Sequence, residues 1–300
     1  MNYLRNGKRK SVLFIFVDGL GIGRRDDNNP FTKIEDVNPL AHFIGEQSGV
    51  IFDGLMIPTD PRLGVEGRPQ SASGQTTILT GINAPKLLGY HKQGFPNQFL
   101  RDLIRDKSVF LQLKNENITG NVFANAYTPQ FFTETPRWKS ATTCAVEAAE
   151  LPFRKLPDLL GGKALFHDFT NVILREKGYD VPLLSAIEAA EVLAGLTANH
   201  GFTLYEHFLT DKIGHDRDFD KAETHLPLLA KFIGETLKRV DLENTTVILT
   251  SDHGNIEDLS VRNHTLNDVP TIIWGREKQK IAGQIKDLTD ITPAIRQLLT

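Results

Sequence analysis

Aspartate and histidine side chains recur in this sequence at spacings that suit metal ligation. Asp252 is directly followed by His253 in the segment TSDHGN, and Asp211 precedes His215 by four residues in TDKIGHD. His264 lies shortly after the first of these segments, in RNHTLND. Carboxylate and imidazole ligands together favour zinc, manganese or iron over calcium, which prefers oxygen ligands.

Three aspartates follow apolar runs that are typical of buried β-strands. Asp18 ends SVLFIFVD, Asp211 follows GFTLYEHFL, and Asp252 ends TTVILTSD. The carboxyl ends of parallel strands meet at one edge of a sheet, where α/β proteins form their ligand crevice. Three carboxylates at one edge repel one another unless cations lie among them. Each aspartate alone is commonly a turn or capping residue, but the joint pattern with the histidines predicts a metal centre.

The rest of the sequence supplies the elements that would position these side chains. Strand-like runs occupy residues 11–18, 120–127, 201–209, 245–252 and 269–275, and helical patterns separate several of them. Apolar strands that alternate with helices predict an α/β fold with a doubly wound, mainly parallel sheet covered on both faces. We expect one domain over residues 1–300, with a small cap at 128–165, where prolines and a Gly-Gly pair interrupt the periodicity.

Two helices have particularly clear signals. Ser185 begins a capping box, because Glu188 follows it by three residues. A second helix is predicted over 226–240, where apolar side chains recur on one face. The residues on that face are Leu226, Leu229, Ala230, Ile233, Leu237 and Val240.

Composition limits the partners and the compartment. The chain has 300 residues, of which 40% are hydrophobic, so it can bury a sizeable core. The net charge is -3, from 34 Lys+Arg and 37 Asp+Glu, and there is no long basic run that would support nucleic-acid binding. Cys144 is the only cysteine, which excludes an internal disulfide and suits a reducing compartment.

The amino terminus loosely resembles a signal peptide, because basic residues precede an apolar run. The run from Val12 to Val17 is short, however, and ends at Asp18 without a typical cleavage site before it. A buried strand is the better interpretation. A membrane span is indicated by an apolar stretch of about 18 residues or more, and this sequence has none. We therefore expect a soluble, cytoplasmic protein that binds no membrane.

Two serines, Ser71 and Ser73, lie in the segment GRPQSASGQTTILTGIN. A serine before small residues and an apolar stretch is typical of a helix amino terminus, where most serines only cap the helix. The segment alone leaves open whether one hydroxyl is a nucleophile.

Taken together, these segments resemble the alkaline phosphatase superfamily, most closely the catalytic domain of cofactor-independent phosphoglycerate mutase and phosphopentomutase. The resemblance covers nearly the whole chain and rests on FIFVDGLGIG, QSASGQ, TDKIGHD, TSDHGN and NHTLNDVPTII. For one metal ion, the ligands implied by the resemblance are Asp211, His215 and His264. For a second ion, they are Asp18, Ser71, Asp252 and His253. The resemblance also identifies Ser71 as the nucleophile and makes Ser73 a helix residue. It implies two divalent transition-metal ions, zinc or manganese.

The sequence also departs from the mutases. They carry a large domain inserted after the nucleophile helix, whereas only residues 82–120 separate Gly81 from the next predicted strand here. Gln75 also replaces a histidine of the mutases. Without an enclosing domain, water should take the phosphoryl group. We therefore expect a two-metal-dependent phosphatase that hydrolyses a small phosphorylated substrate through a phosphoserine at Ser71.

Other functions stay open at this stage. A phosphomutase of a small phosphorylated metabolite and a phosphodiesterase would use the same residues, and a non-catalytic metal-binding module is a further alternative. Substrate specificity is expected in residues 84–100 and 128–165, whose sequence does not identify the substrate. Basic residues that could meet an anionic substrate are Lys86, His91, Lys92 and Arg137.

Overall fold

The computed structural model describes residues 4–5, 8–47, 49–134 and 138–300. The strands in these ranges are β1 (Leu4–Arg5), β2 (Lys8–Arg9), β3 (Ser11–Val17), β4 (Leu55–Thr59), β5 (Asn121–Phe123), β6 (Phe202–His207), β7 (Thr245–Thr250) and β8 (Val269–Gly275). The α-helices are α1 (Ser71–Thr80), α2 (Ala84–Leu88), α3 (Gln98–Lys107), α4 (Val109–Asn115), α5 (Pro129–Thr133), α6 (Ala141–Ala148), α7 (Leu156–Leu160), α8 (Val172–Glu176), α9 (Ala186–Asn199), α10 (Leu209–Asp216), α11 (Phe219–Arg239), α12 (Lys278–Ala282) and α13 (Ile291–Leu299).

One mixed sheet forms the centre of the fold. In the part of the chain that the structure describes, its strand order is β4-β8-β7-β3-β6-β5. The central strand β3 pairs in parallel with β6 and β7, and β5 pairs in parallel with β6. Strand β8 runs antiparallel to β7, and β4 runs antiparallel to β8. The predicted mainly parallel α/β sheet is confirmed, and each of the five predicted strand segments contributes a strand to it.

Strand β3 shows why its sequence is apolar at nearly every position. Its odd-numbered residues, such as Leu13 and Ile15, belong to a core that includes α9 and α11. Its even-numbered residues, such as Phe14, belong to a second core that includes α1, α4, α6 and α13. Because alternate side chains of a strand point to opposite faces, a sheet covered on both sides requires an unbroken apolar run.

The two helices with clear sequence signals are confirmed. Ser185 caps α9, and its backbone N–H donates to the Glu188 carboxylate at 2.8 Å. Helix α11 buries the predicted apolar face and ends at Arg239, so Val240 is its C-cap residue. No helix among the described residues has the length and apolarity needed to cross a membrane.

The segment 128–165, predicted to form a small cap, divides between two cores. Helix α6 packs with the main sheet core, whereas Leu159, Ala164 and their neighbours form a separate small cluster with Phe166 and Leu174. Residues 135–137 of this segment lie outside the described residues. The assignment of the segment as a cap stays a prediction.

Candidate active site

Adjacent strands bring the candidate carboxylates to one edge of the sheet. Asp18 directly follows β3, and its backbone N–H donates to the His207 carbonyl at the end of β6. Asp252 lies two residues beyond β7, the other neighbour of β3. Asp211 is not at a strand end, because β6 stops at His207 and Asp211 lies in the first turn of α10. The helix still returns its carboxylate to the same edge.

The first cluster of potential ligand atoms surrounds Nε2 of His253. This nitrogen lies 3.4 Å from Asp18 Oδ1, 3.5 Å from Asp252 Oδ2 and 3.0 Å from Ser71 Oγ. Two ligands that each lie about 2.1 Å from a tetrahedral ion are separated by about 3.4 Å. The three distances from His253 Nε2 are therefore those expected between ligands of one ion, and the ligand atoms of Asp18, Asp252 and His253 all lie within 4.8 Å of one another. With Ser71, this is the ligand set that the family resemblance implies.

The second cluster joins α10 to the segment that carries His264. His215 Nε2 lies 3.3 Å from Asp211 Oδ2 and 3.2 Å from His264 Nε2. His264 Nε2 in turn lies 3.6 Å from Asp211 Oδ1. His253 also approaches Asp211, but through Nδ1 and at 4.0 Å. Since its Nε2 faces the first cluster, we place His253 there.

The buried carboxylates lack the partners that anions require. Asp252 is fully buried, and burial followed by the charge of Asp211 raises its pKa to about 8. Burial, then the charge of Asp252, also raises the pKa of Asp18 well above its usual value. Within the described part of the chain, their Oδ1 atoms and His253 Nδ1 have no hydrogen-bond partner. Because protein groups leave these anions uncompensated, the residues fit divalent cations.

His253 and Asp211 have protonation states that suit metal ligands. Burial, then the neighbouring His264, lowers the pKa of His253 to about 3, so its imidazole is neutral at pH 7. Burial is the largest influence on Asp211 and opposes its ionisation, but the hydrogen bond from His215, the nearby His253 and the hydrogen bond from Asn255 together outweigh burial and lower the Asp211 pKa. Neutral imidazole and ionised carboxylate are the forms that bind metal ions.

The two serines of α1 have different environments. Ser71 is the first residue of the helix, and Gln70, not Ser71, is the N-cap. The Ser71 hydroxyl therefore does not cap α1 and instead lies beside His253. Ser73 is buried, donates to the Gln70 carbonyl and accepts from the Lys92 backbone N–H. Only Ser71 is placed to meet a substrate, and its role as nucleophile stays a prediction.

Gln75 contacts the metal-ligand candidates in a way the sequence analysis missed. Its Nε2 donates to Asp18 Oδ2 and Asp252 Oδ2, each at 3.1 Å. One side chain thus holds both carboxylates of the first cluster. The signal was available, because Gln75 lies one helical turn after Ser71 and must share its face of α1.

Glu257 is a second missed residue. Its buried Oε1 accepts hydrogen bonds from Thr265 Oγ1 at 2.5 Å and Asn267 Nδ2 at 3.0 Å, both in the segment that carries His264. A Cβ added at Gly21 or Gly254 would overlap this carboxylate, so glycine is required at both positions. Outer-shell groups of this kind orient metal ligands.

Of the four basic residues considered as substrate contacts, the structure describes three. Lys86, His91 and Lys92 do not line the cleft at Ser71. His91 instead lies within hydrogen-bond distance of the Val65 carbonyl. Arg137 lies outside the described residues.

Sequence comparison identifies a family and several relatives. Residues 10–300 match the metalloenzyme superfamily. The 2,3-bisphosphoglycerate-independent phosphoglycerate mutase of Nostoc punctiforme is 26% identical over 290 residues, which cover 89% of this chain and 51% of that protein. The mutase of the same name from Ehrlichia ruminantium (strain Gardel) is 29% identical over 131 residues, 40% of this chain and 26% of that protein. This chain therefore spans about half of the first mutase and matches a smaller part of the second.

Structural comparison gives the fold. The PH0037 protein from Pyrococcus horikoshii aligns with a TM-score of 0.55 and 12% identity over 97% of this chain and 98% of that one. A cold-active alkaline phosphatase from Shewanella sp. aligns with a TM-score of 0.53 and 13% identity over 97% of this chain and 100% of that one. The architecture is therefore the α/β fold of alkaline phosphatase, as the sequence resemblance implied.

Proposed function

The chain belongs to the metalloenzyme superfamily, and from this premise we propose that it is a two-metal-dependent hydrolase of phosphate monoesters that acts through a phosphoserine at Ser71. The observation that carries the proposal is the position of the Ser71 hydroxyl, 3.0 Å from His253 Nε2 and beside two buried carboxylates. The Asp211, His215 and His264 cluster, joined to this one through the Asp211–His253 contact, supports a two-metal site.

The residues divide the reaction between them. Bound divalent ions make a serine hydroxyl more acidic and draw negative charge from phosphoryl oxygens. Ser71 Oγ attacks phosphorus, the ester P–O bond breaks, and the alcohol leaves with the serine proton. Because Ser71 begins α1, the positive end of the helix dipole faces the phosphoryl group. Water then cleaves the Oγ–P bond, releases phosphate and returns a proton to Ser71.

Hydrolysis is favoured over transfer by the segment that follows α1. Residues 82–120, all of which are described, form the short helices α2, α3 and α4, which lie against α1 or α6 instead of forming a separate domain. The site therefore has no large domain from this segment to shield a phosphoserine from water. Phosphomutase activity is the second candidate, because the curated relatives that match this chain are named as mutases. Zinc or manganese and a cytoplasmic location stay predictions.

The test is phosphate release and trapping of the phosphoserine. Protein loaded with manganese or zinc should release inorganic phosphate in proportion to substrate consumed, and acid quenching should trap phosphate on the peptide that contains Ser71. Ser71→Ala should lose both signals and keep its metal content, whereas Ser73→Ala is the matched control that keeps turnover. An isomeric phosphate ester that accumulates with little free phosphate would establish the mutase instead. Phosphate carried by any other residue would refute the nucleophile assignment.

A further inference from the structure

A cleft of about 550 Å³ opens beside Ser71 and extends away from the metal-ligand candidates. This volume is within the range of small-molecule sites in proteins. Aromatic rings form a large part of its wall. They come from separate segments of the chain: Phe95, Phe123, Tyr127, Phe131, Phe166 and Phe208.

One wall of the cleft is a packed aromatic cluster. The Tyr127 ring lies 4.5 Å from Phe131 and 4.8 Å from Phe153, measured between centroids. The Tyr127 hydroxyl is bonded to Thr143 Oγ1 at 2.9 Å, so the protein already satisfies it. This hydrogen bond holds the ring in one orientation. A ligand can therefore contact the apolar surface of the ring but not its hydroxyl.

Other aromatic rings around the cleft are exposed to solvent. Phe95 is 48% exposed and Phe208 is 38% exposed. Phe208 stacks on the His167 ring, with a centroid distance of 4.0 Å and an interplanar angle of 27°. Exposed aromatic surface that is continuous with a reactive site is typical of a ligand-binding site.

The charged groups that line the cleft are close to balanced, although burial raises the pKa of one of them, Glu206, to about 7. Apart from the metal-ligand candidates, the charged residues are Lys177, Lys212, Glu206 and Asp216, two of each sign. No arginine side chain lines the cleft in the described part of the chain. A substrate with a carboxylate, such as a phosphorylated sugar acid, would therefore lack the bidentate cationic partner that such a group recruits.

We propose that the substrate is a phosphate monoester whose alcohol carries an uncharged aromatic ring. The ring would lie against Phe95, Tyr127 and Phe131 while the phosphoryl group lies at Ser71. Covering a phenyl ring with apolar surface strengthens binding by roughly tenfold to a hundredfold. The inference rests on the proposed function for the reaction, but the preference for a ring is a property of the cleft and can be measured without turnover.

Binding is tested with two uncleavable ligands, phenylphosphonate and methylphosphonate. Calorimetric titration of manganese-loaded Ser71→Ala protein should give at least tenfold tighter binding of phenylphosphonate. Phe131→Leu and, separately, Phe95→Leu should reduce this ratio severalfold. Phe95 is the safer of the two for folding, because it is half exposed. The control is Phe132→Leu, which alters the same aromatic cluster but does not line the cleft and should keep the ratio.

Turnover supplies the second measurement. The kcat/KM of wild-type protein for phenyl phosphate should exceed that for glycerol 2-phosphate by about the ratio found in binding. Equal binding of the two phosphonates, or a Phe132→Leu effect as large as that of Phe131→Leu, would overturn the proposed substrate class even if Ser71 becomes phosphorylated. Preferential binding of phenylphosphonate without turnover of any ester would support the substrate class and overturn the proposed hydrolase.

Discussion

Replacing Asp252 with asparagine should change protein stability in opposite directions with and without metal ions. Asp252 is fully buried, and its pKa in the metal-free protein is raised from 3.8 to about 8. The native state therefore keeps a proton that the unfolded chain releases. Protonated Asp252 therefore makes its full contribution to the free energy of unfolding below about pH 4. This contribution is lost as the pH rises toward about 8.

The size of the effect follows from that shift. A rise of about four pKa units corresponds to on the order of 5 kcal/mol. About 4 kcal/mol of this is lost between pH 5 and pH 8, because each pH unit between the two pKa values contributes about 1.4 kcal/mol. At about 2 °C per kcal/mol for a chain of this length, the metal-free wild type should lose about 8 °C in Tm over this range. The amide introduced by Asp252→Asn does not ionise, so this variant should show a much smaller loss and be the more stable protein at pH 8.

Bound metal ions should reverse the order of stability of wild type and Asp252→Asn. An ion that binds only the native state adds about 4 kcal/mol at a thousandfold excess over its Kd. Wild-type protein gains this stabilisation with Asp252 ionised, whereas Asp252→Asn removes a carboxylate from the first cluster and should bind fewer ions. At pH 8 with manganese, the variant should therefore be the less stable protein.

The assay is thermal unfolding followed by fluorescence at pH 5, 6, 7 and 8, in chelator and in excess manganese, with metal content measured by elemental analysis. The control is Asp27→Asn, since the Asp27 side chain is 91% exposed and should give no crossover. The reasoning is refuted if wild type and Asp252→Asn lose Tm equally between pH 5 and pH 8 in chelator. It is also refuted if metal stabilises both proteins to the same degree.

Substitutions at three further residues test the side chains that support the site. Glu257→Gln should weaken metal binding at His264 by roughly 10- to 100-fold, measured by metal titration, because its Oε1 holds the neighbouring segment; unchanged affinity would contradict that role. Gln75→Ala should likewise weaken metal binding in the first cluster, whereas Gln75→Glu should lower the Tm of the metal-free protein at pH 8 by adding a third buried carboxylate; an unchanged Tm of metal-free Gln75→Glu would remove the electrostatic argument. Ser73→Ala should lower the free energy of unfolding by about 1–3 kcal/mol in chemical denaturation, since it leaves the Lys92 N–H unpaired, and a neutral result would show that water replaces the hydroxyl.

The part of the fold that could be predicted from sequence is the part whose burial is complete. Strands β3, β6, β7 and β8 are buried along nearly their whole length, and each carries bulky apolar side chains that mark it in the sequence, such as Val247, Ile248 and Leu249 in β7. Strand β4 was not predicted, because it is a half-exposed edge strand with Pro58 near its end. Proline is tolerated there since an edge strand has an unpaired side.

In the candidate site, too, some residues could be located from the sequence and others could not. Asp18 and Asp252 could be located because each follows a strand that the sequence marks clearly. The strand before Asp211 was predicted two residues too long, because Phe208 and Leu209 continue its apolar pattern although α10 begins at Leu209. The four-residue spacing of Gln75 from Ser71 places both on one face of α1, but the contacts of Gln75 with Asp18 and Asp252 join segments far apart in the sequence and follow only from the fold.

The substrate cleft was beyond any pattern in the sequence, and it bears on the choice between hydrolysis and transfer. Its aromatic residues come from positions as far apart as Phe95 and Phe208, so only the folded chain brings them together. A rigid aromatic wall positions a substrate, but one wall does not exclude water. A mutase must hold its released alcohol beside the phosphoserine until the phosphoryl group returns. Residues 82–120 pack as short helices instead of forming an enclosing domain, so the proposed hydrolysis requires that water reach the phosphoserine past this segment, whereas the mutase alternative requires enclosure from elsewhere.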